Sequence, residues 1–346
     1  MTHRLSTSGI PYLDSVWNVT SGCTKISPAC ANCYAEVLHN QRHKALLDGK
    51  KMPECYREPF ERVVLHEDRL DAPLRARKGR TIGVCFMSDL FHEDVPNEFL
   101  DRVFAVMGLC PQHRFVVLTK RPERMREYVC RRRGTAVYVA RSAEVVGRNL
   151  RDSHPGLAPS NWRRNGMDQV HAIWPLPNVA LGVTVWDQAS ADRAVPILLD
   201  TPAALRFVSI EPMLGPVDLR YLQPSDPPVE INALAGTHGV LRPHEGENDR
   251  LDWVICGGES GPNARPMHTE WARSLRDQCQ SAGVPFYFKQ VGEWVPYYHE
   301  VEVDPLTDDR STWIGDFPFK RVGTKRAGHL LGGREHREIP EGWTTA

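Results

Sequence analysis

Gly22-Cys23-Thr24-Lys25-Ile26-Ser27-Pro28-Ala29-Cys30-Ala31-Asn32-Cys33-Tyr34 brings three of the chain's nine cysteines within eleven residues of one another. Thiolates this close on one loop suit zinc, copper(I) or an iron–sulfur cluster. The stretch follows a short β-branched run, Ser15-Val16-Trp17-Asn18-Val19-Thr20, which predicts a strand ended by Ser21-Gly22. Pro28 forbids a helix through the thiols, while Tyr34, Val37, Leu38, Leu46 and Leu47 predict a helix that stops at Gly49. The local order is strand, thiol loop, helix.

Working outward, the same strand-then-helix unit recurs. After an expected helix near Phe60 to Leu70 comes the apolar run Thr81 to Met87, without alternation, as in a strand covered on both faces. Pro96 starts a helix with Phe99, Val103, Val106 and Met107 on one face. Phe115 to Leu118 is the next strand, tipped by Thr119-Lys120, and Pro122 opens another helix. Further strands are expected at Asn178–Val185, Arg206–Glu211, Asp252–Cys256 and Phe286–Gln290, with helices at about Ser190–Leu199 and Thr269–Ala282. This alternation predicts an α/β fold, a complete or partial β/α (TIM-like) barrel of parallel strands. A dinucleotide-binding sheet is disfavoured because no G-x-G-x-x-G follows the first strand. The barrel core is expected over residues 12–294, with insertions at about 134–176 and 221–250, and a C-terminal extension over 295–346.

Polar residues gather at the C-terminal ends of these strands, where α/β barrels and sheets assemble their sites: Ser88, Asp89, Lys120, Thr184, Glu211, Glu259 and Lys289. Glu211 and Glu259 directly follow apolar strands, where a charge without a partner is costly, so both are assigned to the pocket. Lys289 and Arg265 add positive charge to the same mouth. Most have a plainer reading: Lys120 as a surface lysine, Thr184 as a structural threonine, Asp89 as a helix-initiating residue, and Glu211, Glu259, Lys289 and Arg265 as ordinary salt-bridge partners.

The chain's 346 residues suffice for one large barrel or two ordinary domains. Lys plus Arg and Asp plus Glu both total 43, so no surplus of positive charge points to nucleic acid, although a local basic groove remains open. Met1 to Pro11 is polar, and no run approaches the roughly 18–20 apolar residues of a membrane span, so a cytoplasmic protein without membrane contact is expected. An odd cysteine count argues against a disulfide framework. Cys85, Cys256, Cys110, Cys130 and Cys279 read as small hydrophobes; Cys55 has no assigned role. Oligomeric state is not legible.

Two metal readings follow from the residues. Structural zinc needs a fourth ligand, for which His39 or His43 in the following helix is placed. A 4Fe–4S cluster held by Cys23, Cys30 and Cys33 alone leaves one iron open to a ligand. Spacing leaves both standing, and the position of the loop at the mouth of a predicted barrel favours the cluster.

The chain resembles the radical S-adenosylmethionine (SAM) enzymes, and specifically the bacteriophage-associated family called phage protein Gp37/Gp68 or DUF5131. The resemblance rests on Gly22-Cys23-Thr24-Lys25-Ile26-Ser27-Pro28 through Cys33-Tyr34-Ala35-Glu36, Met87-Ser88-Asp89-Leu90-Phe91-His92, Leu118-Thr119-Lys120-Arg121-Pro122, Leu181 to Val185, Ser209 to Pro216, Gly257 to Pro262 and Phe288-Lys289-Gln290. A further piece lies at Arg321 to Gly328. The gap between Cys23 and Cys30 is longer than in the usual radical SAM motif, and Asn32 stands where an aromatic usually precedes the third cysteine.

The resemblance implies a barrel of the radical SAM type and two cofactors, a 4Fe–4S cluster and SAM. It also implies an electron from reduced flavodoxin or ferredoxin, and hydrogen abstraction by a 5′-deoxyadenosyl radical. Lys120 is then expected to clamp the SAM carboxylate, a reading favoured by the similar Thr-Lys at a strand end in the spore photoproduct lyase group, and Thr184 to bond its ribose or amino group. Ser88, Asp89 and Glu211 are further cofactor candidates, with Glu211, Glu259 and Lys289 as catalytic ones. A nucleobase or nucleotide substrate is expected by the same analogy, with Arg131-Arg132-Arg133, Trp162-Arg163-Arg164 and Lys325-Arg326 as phosphate and stacking groups. The alternative is a non-enzymatic, zinc-stabilised nucleic-acid- or protein-binding module of phage origin, with Cys23, Cys30, Cys33 and His39 as ligands. A third reading is a scaffold that has lost SAM chemistry.

Overall fold

Apolar runs bounded by turn residues become short strands in the computed structural model, which describes residues 4–131, 139, 142, 174–224, 230–238, 250–297 and 311–343. They are β1 (Ser6–Thr7), β2 (Ser15–Trp17), β3 (Thr20–Ser21), β4 (Val64–Leu65), β5 (Thr81–Val84), β6 (Arg114–Thr119), β7 (Val179–Val185) and β8 (Leu205–Ile210). Then follow β9 (Ile231–Asn232), β10 (Thr237–His238), β11 (Trp253–Gly257), β12 (Phe286–Gln290), β13 (Trp294–Pro296), β14 (Ser311–Ile314) and β15 (Phe317–Arg321). The helices are α1 (Tyr34–Leu47), α2 (Asn97–Gly108), α3 (Pro122–Cys130), α4 (Gln188–Leu199), α5 (Thr269–Ala282) and the short α6 (Thr324–Ala327).

Eight strands form one sheet in the order β1-β2-β5-β6-β7-β8-β11-β12, and every neighbouring pair from β2 to β12 is parallel. Strands that are consecutive in the main sheet lie side by side, as in a β/α barrel, and among the described residues no ladder joins β12 back to β1 or β2. The architecture is a mixed α/β sheet consistent with a partial barrel. Segments near the two ends of the chain lie along both sides of the parallel strands and shield their edges. Near the N-terminus, β1 pairs antiparallel with β2. Near the C-terminus, His336 and Glu338 bond to Phe288 and Phe286 along the outer edge of β12.

The two faces of the sheet are chemically distinct. Outward residues such as Ile82, Val117, Leu181, Val208 and Val254 join helix residues such as Phe99, Val103 and Leu275 in one large core. Inward residues Val116, Ala180, Leu205, Phe207, Trp253, Ile255 and Tyr287 pack around Tyr12 and Leu13, with Ile339 and Trp343 from the C-terminal segment against them. The inner face is thus filled with apolar side chains where the strands begin. Gly182 makes room for one of them, because a Cβ there would lie 2.4 Å from the Phe207 ring.

Three expectations need correction. The predicted first strand breaks after Trp17, since the Asn18 side chain turns to accept the Met87 amide, and its last residues pair with β4 instead. The expected helix near Phe60 to Leu70 is a two-residue strand and a 3-10 turn: Val64 and Leu65 are drawn into pairing with Ser21 and Thr20, and the His66 amide bonds to the Val19 carbonyl. The strand from Thr81 ends at Val84, since Cys85 takes the left-handed conformation (φ 57°) and turns the chain. Cys85, Cys110, Cys256 and Cys279 are buried, but Cys130 is exposed at the end of α3. Most of the insertion at 134–176, with Trp162, Arg163 and Arg164, lies outside the described residues, as do Arg132, Arg133, 225–229 and 239–249.

Overpacking at the glycine beneath Phe207 tests the inner face. Gly182→Ala is expected to cost about 1–3 kcal/mol of unfolding free energy in a denaturant titration, whereas an unchanged midpoint contradicts the packing described.

Candidate functional site

Gly22 admits the chain to the thiol loop. Its φ of +84° is open to glycine, and an added Cβ would lie 2.0 Å from the Arg62 carbonyl oxygen. The backbone then bonds through the Cys23 amide to the Phe60 carbonyl (2.8 Å) and makes one 3-10 turn, Pro28–Cys30, before α1 begins at Tyr34. A loop with so little regular structure needs other fixed points, and side chains supply them at both ends.

Arg121, the residue before Pro122 at the start of α3, fixes the first end. Its Nη1 donates to Asp89 Oδ2 (3.2 Å) and lies 3.7 Å from Cys23 Sγ. Nη2 donates to the Thr24 hydroxyl (2.9 Å) and carbonyl (3.3 Å), and Nε to Glu93 Oε2 (3.1 Å). Asp89 uses its remaining capacity on the Thr119 hydroxyl (2.7 Å) and the amides of Phe91 (3.0 Å) and Lys120 (3.1 Å). His92 Nδ1 accepts from the Asp94 amide (3.1 Å), so its Nε2 is the donor to the Thr24 hydroxyl (2.8 Å). Burial, then the Arg121 cation, holds this histidine below its ordinary value and hence neutral. Burial and Asp89 push the Cys23 thiol up to about 11, against the lowering pull of Arg121.

Glu259 and Arg265 fix the other end. Arg265 donates from Nε (2.8 Å) and Nη2 (2.6 Å) to the two carboxylate oxygens of Glu259, and from Nη1 to the Pro28 carbonyl (3.0 Å). The Asn32 amide group, between Cys30 and Cys33, donates to Glu259 Oε2 (3.0 Å) and to the Asn263 carbonyl (2.7 Å). Burial alone would raise the Glu259 carboxyl, but the Arg265 and Asn32 hydrogen bonds hold it below the ordinary glutamate value. Ser27 Oγ lies 3.2 Å from Cys30 Sγ, and the Tyr34 hydroxyl donates to the Phe86 carbonyl.

On the inner face, parallel register sets the polar tier. Thr119 is opposite Val183 and Thr184 opposite Ser209, so the two-residue period carries the inner side from Leu118 on to Lys120, next to Thr184 and Ser209. Glu211 lies one step further, receiving Ser209 Oγ (3.3 Å) and the Lys289 ammonium (3.1 Å). Gly257 leaves the space it occupies, since a Cβ there would stand 2.8 Å from Glu211 Oε1. Two groups in this tier are uncommitted among the described residues. The Thr184 hydroxyl is buried, at 3% exposure of the residue, without a hydrogen-bond partner. No hydrogen bond or ion pair engages the Lys120 ammonium.

The structure divides the expected site residues. Glu211, Lys289, Thr184 and Lys120 line the inner mouth. Asp89 and Glu259 hold the thiol loop through arginines, and Ser88 ties β5 to β3 through Thr20, its Oγ 2.6 Å from Thr20 Oγ1 and 3.0 Å from the Thr20 carbonyl. Arg121 and Ser209 were not singled out from sequence, and Asn32 was noted there only as a departure from the usual motif beside the third cysteine. Only the adjacency of Arg121 to Lys120 at a strand tip could have drawn attention to that arginine.

Zinc and a cluster make different demands on the donors. His39 spends Nε2 on the Glu58 carbonyl (2.8 Å) and packs edge-on against Tyr56 and Phe60, while His43 Nδ1 bonds to the Tyr56 carbonyl (2.8 Å). Among the described residues no group of three or more His, Cys, Asp and Glu side chains is gathered to hold a single metal ion. Three free thiols with no histidine among them suit a cluster, in which each thiolate takes a different iron.

A family model described as "Protein of unknown function (DUF5131)" matches residues 7–340. No curated protein matches the chain. Among solved structures, spore photoproduct lyase complexed with dinucleoside spore photoproduct is similar at 9% identity, covering 94% of this chain and 73% of that one, with a TM-score of 0.38. A variant of spore photoproduct lyase with bound AdoMet and dinucleoside spore photoproduct overlaps at 9% identity over 94% of this chain and 72% of that one, with a TM-score of 0.39. Among the described residues no helix is long and apolar enough to cross a membrane.

The Glu259 staple has a pH signature. A carboxyl held below its unfolded value stabilises the fold fully above about pH 4.3 and loses that contribution as pH falls through the depressed value. Glu259→Gln is expected to lower unfolding free energy by about 1.5–3 kcal/mol at neutral pH, with the difference from wild type narrowing on acidification. Urea titrations that find the same difference at about pH 7 and about pH 3 contradict the ionic staple.

Proposed function

The chain belongs to the DUF5131 family, and we propose that it is a cytoplasmic radical SAM-type enzyme in which Cys23, Cys30 and Cys33 hold a 4Fe–4S cluster. The observation that carries this reading is a set of three free thiols pinned at the open end of a parallel sheet by two arginine–carboxylate staples, beside an inner face with an orphaned buried hydroxyl. A buried hydroxyl without a partner costs about 1–3 kcal/mol, a penalty that a bound ligand removes.

Once bound, such a cluster supplies reductive cleavage of SAM and thereby a radical able to take hydrogen from an unactivated C–H bond, which side chains cannot do unaided. The chain's own residues bind, orient and shield. Lys120 offers an unpaired ammonium for the carboxylate of the methionine moiety, and Thr184 a hydroxyl for a ribose or amino group. Glu211, held by Lys289 and Ser209, presents a fixed carboxylate to substrate. The aromatic floor of Tyr12, Phe207, Trp253 and Tyr287 keeps water out from below. A nucleobase or nucleotide is the proposed substrate class, and reduced flavodoxin or ferredoxin the electron source. Structural zinc would have to use His39 through Nδ1, since its Nε2 donates to a backbone carbonyl and its ring packs edge-on against Tyr56 and Phe60.

Protein reconstituted without oxygen with iron and sulfide, then given dithionite and SAM, is expected to release 5′-deoxyadenosine; a fully loaded protein that releases none contradicts the reading. In calorimetric titrations of the loaded protein with SAM, Lys120→Ala and Thr184→Val are each expected to weaken binding about tenfold, or about 1.4 kcal/mol. Unaltered affinity in both variants removes these residues from the cofactor site.

A further inference from the structure

Among the described residues, Cys23 is the one of the three thiols whose sulfur a guanidinium approaches within hydrogen-bond distance. Arg121 is 7% exposed, and its backbone is fixed on both sides, by Pro122 in the first turn of α3 and by the Thr119 hydroxyl, which accepts the Arg121 amide (2.9 Å). All three guanidinium nitrogens are engaged: Nε by Glu93, Nη1 by Asp89 and the Cys23 sulfur, Nη2 by the carbonyl and hydroxyl of Thr24. The group that approaches the sulfur therefore also holds the residue after it. A lysine could not do this, because its point charge lacks the planar fork that serves several acceptors at once. Cys30 has the Ser27 hydroxyl 3.2 Å from its sulfur, and the Lys25 ammonium, which is bonded to Glu36, acts on Cys30 and Cys33 through its charge and not through a hydrogen bond to either.

We propose that Arg121 is a positioning residue that sets the place of Cys23 and tunes the cluster bound there, making it easier to reduce. The inference rests on the cluster reading above. Hydrogen bonds to ligand sulfurs and local net charge both govern the reduction potential of iron–sulfur clusters. A guanidinium donating to a thiolate draws electron density from sulfur and offsets the negative charge that reduction adds. Asp89 and Glu93 hold the guanidinium in place, and the neutral His92 adds no second cation to the group.

The test uses wild type, Arg121→Gln and Arg121→Lys, each reconstituted without oxygen, with iron and sulfide assayed per chain. Midpoint potentials are then measured without SAM by a redox titration followed by electron paramagnetic resonance. Arg121→Gln is expected to hold a cluster with a more negative midpoint than wild type, and Arg121→Lys to lie between. A purely structural role would lower iron content while leaving the potential of the remaining clusters at the wild-type value, and that result overturns the proposal. Should Arg121→Gln lose its cluster outright, Arg121→Lys decides alone: a shifted potential supports the inference and an unshifted one overturns it. Wild-type protein that takes up no iron and sulfide sinks the cluster reading together with this inference, whereas unchanged potentials in loaded variants sink the inference alone.

Discussion

Two guanidinium–carboxylate pairs, Arg121 with Asp89 and Arg265 with Glu259, decide where the three thiols stand. Between Gly22 and Tyr34 the chain has one 3-10 turn and few backbone hydrogen bonds. Each arginine meets a carboxylate in the segment that follows a strand and reaches a carbonyl of the loop, Thr24 in one case and Pro28 in the other. Arginine suits this task because its fork can serve a carboxylate and a third acceptor together. Buried ion pairs are weak evidence for stability, since desolvation offsets much of the attraction, and both pairs are better understood as fixing a position. What they fix is a loop with little regular structure whose three thiols are only partly buried.

The sheet supplies the second half of the arrangement. Its inner face changes along the strands from a packed aromatic floor to a polar rim, with Val116, Phe207 and Trp253 below and Thr184, Ser209 and Glu211 above. Parallel register places these residues in tiers, so that groups far apart in sequence share one level. Glycine at 257 is part of the same design, leaving room for the Glu211 carboxylate beside Lys289. An apolar floor under a charged rim is suited to holding a polar ligand while excluding water from one side.

Much of this was legible in the sequence. Seven apolar runs predicted seven parallel strands, and the helices begun at Pro96, Pro122 and Thr269 are present because proline or a first-turn cap marks a helix start plainly. Of the residues expected at strand ends, Lys120, Thr184, Glu211 and Lys289 meet near one level of the inner face. Their partners were not legible: Asp89 and Glu259 looked like pocket carboxylates, yet each is consumed by an arginine, and Asn32 lies 227 residues from the glutamate it binds. Such pairings depend on tertiary register and leave no local pattern. The same holds for the C-terminal segment, where Glu338 bonds along β12 and Trp343 packs under the inner face without any strand-like periodicity. The stretch from Phe60 to Leu70 misled because its apolar residues answer to β3, not to a helix of their own.

The central claim, that Cys23, Cys30 and Cys33 hold an iron–sulfur cluster, is tested most directly by elemental analysis of the protein purified without oxygen and never exposed to added metal. The account predicts iron and acid-labile sulfide in equal amounts, approaching about four of each per chain, and their loss when any one of the three cysteines is replaced by alanine. Zinc at about one per chain, with neither iron nor sulfide, would contradict it.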